Sequence, residues 1–211
     1  MTWTPPALYA ILDVDLAVRH DRAPLDVCDA WLEAGVRLIQ LRAKSLSFGP
    51  MLALADQMAA RTRAAGATLV VNDRADVARL AGADGVHVGQ SDLGVVAVRA
   101  IVGAQAIVGV STHSEAQVRA AAGQPVSYLA IGPVFETGTK ALPDPVVGLD
   151  GVRAAAAVGN AAGHAVVAIG GITLERAGSV LAAGANAVAV AADLTVGGPL
   201  ARARAWIASI P

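Results

Sequence analysis

A chain of 211 residues that is 55% hydrophobic and 16% charged carries enough apolar material for one large core, which excludes a disordered protein. A net charge of -1 and an aromatic content of 3% leave neither a basic stripe nor stacking platforms, which excludes nucleic acid as a partner. Glycine, charged residues or asparagine interrupt every apolar stretch before the ~18 residues that a membrane span needs, so no membrane partner is expected.

The segment from Met1 to Asp15 lacks the basic and then apolar order of a secretory signal. The single cysteine, Cys28, cannot form an internal disulfide and falls in a predicted helix, where it suits a small buried apolar role. A soluble cytoplasmic protein is expected, with its oligomeric state left open between monomer and homo-oligomer.

In chain order, apolar runs at Leu8 to Leu12, Val36 to Leu41, Thr68 to Asn72, Gly85 to Val88, Ala106 to Val110, Ser127 to Ile131, Val166 to Ile169 and Ala187 to Val190 read as strands. A segment of helical period follows each. Met51 to Ala65 puts Leu52, Ala55, Met58 and Ala59 on one face, and Thr173 to Ala182 does the same with Leu174, Ala177, Val180 and Leu181. Glycines suited to left-handed caps close several helices, at Gly35, Gly66, Gly82 and Gly184.

Continuous apolar strands alternating with helices indicate a parallel sheet covered on its outer face. Ala81-Gly82-Ala83-Asp84-Gly85-Val86-His87-Val88 returns as Ala183-Gly184-Ala185-Asn186-Ala187-Val188-Ala189-Val190, at four units' distance for units of about 26 residues. Eight equal units close a single (β/α)8 TIM barrel of the α/β class, taken as one domain over residues 1–211. A doubly wound open sheet is the runner-up, but the loop after Leu12 is acidic and lacks the glycine-rich fingerprint.

In such a barrel the chemistry gathers at the carboxyl ends of the strands, and the polar residues collect there. Only two of the 16 basic residues are lysines, Lys44 and Lys140, and both follow strands. Lysine is a compact point charge suited to phosphate. Gln40, Arg42 and Lys44 alternate onto one face, which would be costly in a sealed core. Strand three ends Asn72-Asp73-Arg74, and strand four leads to His87-Val88-Gly89-Gln90-Ser91-Asp92.

Asp73 and Asp92 each have a bland reading as helix caps. Together, next to lysines and an arginine, they match a Mg²⁺ ion held by one or two carboxylates plus phosphate oxygens. Ser111 has no capping task, since Ser114 and Gln117 already make a capping box, so its hydroxyl is expected to be free for a ligand. Gly170-Gly171 stands at the usual phosphate position of a barrel. His87 reads as a hydrogen-bonded structural residue, and no histidine spacing suits a transition metal.

These segments resemble the thiamine phosphate synthases from Leu8 to Ile207: Gln40 to Lys44, Asn72 to Asp76, Ala83 to Asp92, Gly109 to His113, Gly132 to Lys140 and Ile169 to Ile172. The resemblance implies a TIM barrel that joins an aminopyrimidine methyl diphosphate to a thiazole phosphate, with Mg²⁺ as cofactor. It implies Arg42, Lys44, Asn72 and Lys140 as diphosphate contacts, of which Lys44, Lys140 and Arg42 are the catalytic set. Gln40 and Ser111 complete the pyrimidine side, Thr137, Thr139 and Gly171 contact the thiazole phosphate, and Asp73 and Asp92 hold Mg²⁺. Leu41, Ala43, Gly138, Ala191 and Ala192 complete the substrate-binding segments.

The chain departs from the family in two places. Ala43 stands where a glutamate is common, and should point away from the pocket and matter little. Ala191-Ala192 stand where Ile-Ser is common, which predicts weaker binding of the thiazole phosphate through backbone N–H groups alone. The competing readings are a thiazole tautomerase, which commonly has a catalytic histidine at the place of Pro133, another phosphosugar barrel enzyme, and a non-catalytic ligand-binding relative.

Overall fold

The computed structural model describes residues 3–137 and 144–210. Its first half runs β1 (Leu8–Asp13), α1 (Val14–Arg19), α2 (Pro24–Ala34), β2 (Leu38–Arg42), α3 (Phe48–Ala64), β3 (Thr68–Asn72), α4 (Ala75–Leu80), β4 (Gly85–Val88) and α5 (Val95–Val102). The second half runs β5 (Ile107–Thr112), α6 (Glu115–Ala122), β6 (Tyr128–Ile131), α7 (Gly148–Ala162), β7 (Ala165–Ile169), α8 (Leu174–Ala182), β8 (Ala187–Val190), α9 (Ala192–Thr195) and α10 (Pro199–Ser209). All neighbouring strands pair in parallel, and β8 closes onto β1 through Tyr9 and Ala189. The fold is the expected (β/α)8 TIM barrel. Among the described residues no helix is long and apolar enough to cross a membrane.

Each strand is buried on both faces, so the apolar runs are continuous and alternation shows only in which side chain meets which layer. Leu12, Ile39, Leu41, Val71, Val86, Val110 and Leu129 point outwards into the core beneath the helices. Tyr9, Leu38, Val70, Tyr128 and Val167 point inwards and fill the barrel axis. The predicted second strand began at Val36, two residues early. Val36 N–H donates instead to Trp31 O at 2.9 Å to finish α2, and Arg37 O receives Thr68 N–H at 2.8 Å.

The internal echo has a physical basis. Leu69 N–H donates to Asp84 Oδ2 and Val166 N–H to Asn186 Oδ1, both at 2.7 Å. Asp84 and Asn186 return their own N–H groups to the carbonyls of the same two residues. Each short polar side chain thus ties the entry of one strand to the start of the next, four units apart.

Gly109 faces the axis where the Tyr128 ring lies. A methyl group on its Cα would sit 2.0 Å from the ring, so only glycine leaves room for the tyrosine. Gly109→Ala is predicted to destabilise the fold by about 1–3 kcal/mol, the usual cost of overpacking. Urea unfolding checks this, and an unchanged midpoint would contradict it.

Candidate active site

Lys44, Asp73 and Asp92 meet at the tips of β2, β3 and β4. Lys44 Nζ lies 3.2 Å from Asp73 Oδ2, and the Asp92 carboxylate is within hydrogen-bonding reach of Asp73. Burial raises the Asp73 carboxyl above the ordinary carboxylate range, the facing Asp92 raises it further, and Lys44 opposes both. Neither carboxylate caps a helix, since α4 and α5 have no side-chain cap. Asp92 accepts instead from Gly89 N–H at 2.7 Å.

Asp73 sits at φ 63°, a left-handed conformation that aspartate tolerates better than most residues. Asp73 N–H donates to His87 O at 2.7 Å, and Arg74 N–H donates back across the turn to Asn72 O at 2.8 Å. The turn therefore aims the Asp73 carboxylate at Lys44 and Asp92 and away from the following helix.

Beside this cluster a cleft of about 590 Å³ opens over the carboxyl ends of the strands. Gln40, Arg42, Asn72, Ser111, Thr137, Gly171, Ala191 and Ala192 all line it. Gly138, Thr139 and Lys140 lie outside the described residues.

Two expectations need correction. The Leu41 and Ala43 side chains are buried in the layer between strands and helices, on the face that alternation predicts, so neither belongs to the substrate-binding set through its side chain. The Ser111 hydroxyl is not free: it lies 2.8 Å from His87 Nε2. Arg42 pairs with the buried carboxylate of Asp13, which also caps α1 by accepting from Leu16 N–H at 2.9 Å.

On the opposite wall, two loops are zipped together. Val134 N–H donates to Ile169 O at 2.9 Å, and Phe135 N–H to Gly170 O at 3.0 Å. Gly171 has φ 63°, and a Cβ there would fall 2.4 Å from Glu136 O, so glycine is required on both counts. Arg176 clamps this wall, with its guanidinium 4.6 Å from the centre of the Phe135 ring and Nη1 donating to Gly171 O at 2.9 Å. Sequence reasoning missed Asp13, Tyr9, Tyr128 and Arg176. The tyrosines left a signal, being the only two in the chain and both at strand starts.

The chain is similar to several known proteins. The family model described as thiamine monophosphate synthase matches residues 8–194. A thiamine-phosphate synthase of Koribacter versatilis is 47% identical over 193 residues, covering 90% of each chain. Another, from Acidothermus cellulolyticus, is 48% identical over 164 residues, covering 77% of this chain and 76% of its own. Among solved structures, a thiamine phosphate pyrophosphorylase from Pyrococcus furiosus superposes with a TM-score of 0.84 at 29% identity, covering 95% of this chain and 93% of the other.

The raised Asp73 carboxyl carries a stability consequence. A folded carboxyl that holds its proton more tightly than the unfolded chain stabilises the fold at low pH, and that contribution is lost as pH rises through its raised value. Asp73→Asn is therefore predicted to raise the melting temperature of the metal-free protein at pH 7 and to leave it unchanged near about pH 3, below the usual carboxylate range. Thermal melts at both values check this; a variant less stable at pH 7 would contradict it.

Proposed function

The chain belongs to the thiamine monophosphate synthase family, and on that premise we propose that its cleft joins an aminopyrimidine methyl diphosphate to a thiazole phosphate. The products are thiamine monophosphate and diphosphate. The observation that carries the assignment of roles is the Lys44–Asp73–Asp92 cluster beside a cleft with a second, glycine-lined wall. Two phosphate-binding regions suit two phosphorylated substrates.

In this reading the C–O bond to diphosphate breaks with its electron pair leaving on oxygen, and the thiazole nitrogen forms the new bond to the pyrimidine methylene. Negative charge grows on the leaving group, and Lys44 and Lys140 stabilise it more at the transition state than at the ground state. Arg42 is held in place by Asp13, and its remaining N–H groups contact the diphosphate with little net charge to add. Asn72 contributes a neutral hydrogen bond beside them. No protein nucleophile is required, and the barrel's other contribution is to hold the two substrates in contact.

Asp73 and Asp92 fit a divalent cation. Two carboxylates in mutual contact, one of them pushed up by burial and by its neighbour, form a donor pair that a cation relieves. No group of three or more acidic, histidine or cysteine side chains suited to a metal occurs among the described residues. A pair that leaves the other positions to water and phosphate oxygens suits Mg²⁺. Bound there, Mg²⁺ supplies counter-charge to the diphosphate.

The thiazole phosphate is assigned to Gly171, Thr137, Thr139 and the backbone at Ala191 and Ala192. Backbone N–H groups at a helix start bind phosphate without a hydroxyl, though less tightly than with one.

Incubating the protein with both phosphorylated halves tests the reading: thiamine monophosphate and diphosphate form in equal amounts, and only with Mg²⁺. Absence of product with Mg²⁺ present would contradict it. Lys140→Ala is predicted to lower kcat at least ~10-fold, the scale of losing one electrostatic contact; unchanged turnover would remove Lys140 from the mechanism. Ala192→Ser is predicted to tighten thiazole phosphate binding, measured by titration, and an unaltered affinity would show that the backbone suffices.

A further inference from the structure

A row of polar side chains crosses the barrel interior. Gln40 Nε2 donates to the Tyr9 hydroxyl at 2.8 Å, and the hydroxyls of Tyr9 and Tyr128 are 3.0 Å apart. The Tyr128 hydroxyl lies 2.8 Å from His87 Nδ1, and His87 Nε2 lies 2.8 Å from Ser111 Oγ. The His87 and Tyr128 rings are stacked, 5.5 Å apart at 21°. Five different strands contribute. The two tyrosines in the middle are almost completely buried, whereas Gln40 and Ser111, at the ends, both line the cleft.

With Gln40 assigned as the donor to Tyr9, counting protons gives the direction of this row. Tyr9 accepts from Gln40 and its other hydroxyl partner is Tyr128, so its single proton goes to Tyr128, whose proton goes to His87 Nδ1. His87 is then protonated at Nε2 and donates to Ser111 Oγ, which turns the serine proton towards the cleft. A doubly protonated imidazole would push the Tyr128 proton back onto Tyr9 and leave the Tyr9 proton buried without an acceptor. The tautomer is thus assigned from the hydrogen-bond network.

We propose that Tyr9, Tyr128 and His87 are positioning residues that lock the hydrogen-bonding polarity of Gln40 and Ser111, and that this lock selects an aminopyrimidine over its oxo counterpart. The inference rests on the function proposed above. With one amide N–H committed to Tyr9, Gln40 offers its carbonyl oxygen and its second N–H to the cleft. That pair matches an amino donor beside a ring-nitrogen acceptor. An oxo analogue presents the reverse, a carbonyl beside a ring N–H.

Accepting the oxo analogue requires the Gln40 amide to turn over and direct its oxygen at Tyr9. Every proton in the row then reverses, His87 changes tautomer, and Ser111 donates to His87 and no longer to the ligand. The row therefore couples both ends of the pyrimidine site, so that a mismatch at one end also removes a bond at the other. Discrimination of this kind is stronger than a single hydrogen bond supplies, because the site's own polar groups are left unpaired.

The test compares kcat/KM for the aminopyrimidine diphosphate and its oxo analogue in wild type, Tyr9→Phe and Tyr128→Phe. Either variant cuts the row while keeping the ring. The wild type is expected to favour the amino substrate by at least ~100-fold, and each variant to lower that ratio by at least ~10-fold. An unchanged ratio in the folded variants overturns the proposal. Nitrogen-15 NMR of the wild-type histidines gives a second readout that needs no variant: His87 is expected as the Nε2–H tautomer, and the Nδ1–H tautomer overturns the lock. A wild type inactive on the amino substrate would overturn the proposed function, while the tautomer measurement would still decide the polarity of the row.

Discussion

Closing eight parallel strands on themselves sends every second strand side chain towards a common axis, and the site depends on that constraint. Deep in the barrel the inward positions are large and apolar or aromatic, as at Leu38, Val70, Tyr128 and Val167. Towards the carboxyl ends the same inward rows become Gln40, Arg42, Asn72, His87 and Ser111. Polar groups this close together are stable only if each finds a partner, and among the described residues every buried side-chain nitrogen and oxygen has one. The floor of the cleft is therefore a set of mutually oriented groups, with little freedom to rearrange around a ligand.

Charge is distributed unevenly around the rim. Arg42 is balanced by the buried Asp13, which fixes the guanidinium and the start of α1 together. Lys44 pairs with Asp73, which Asp92 also approaches, a combination with excess negative charge until a cation joins it. On the far wall the charge is supplied by backbone dipoles and by Arg176, stacked on Phe135. The proposed mechanism assigns these regions to the departing diphosphate and to the standing phosphate respectively.

The barrel was legible in the sequence because strands buried on both faces leave continuous apolar runs, and because the helix-ending glycines fall at regular intervals. The repeat at Asp84 and Asn186 was legible as a pattern before its cause, a strand-linking hydrogen bond, was known. Strand-end residues could be placed on the right face by alternation alone. What could not be read were pairings between residues distant in sequence: Arg42 with Asp13 across 29 residues, and Tyr9 with Tyr128 across 119. For that reason Ser111 was expected to be free, whereas His87, read as a hydrogen-bonded structural residue, holds it. The side chains of Leu41 and Ala43 belonged to a binding segment by sequence and to the outer core by geometry.

The central claim is that strand tips gather cations and acids around a departing diphosphate, and binding of inorganic diphosphate measures it most directly. Titration of the wild-type protein is predicted to give Mg²⁺-dependent binding that weakens at least ~10-fold in Lys44→Ala, as expected for one lost charge-assisted contact. Diphosphate affinity indifferent to both Mg²⁺ and Lys44 would contradict the account.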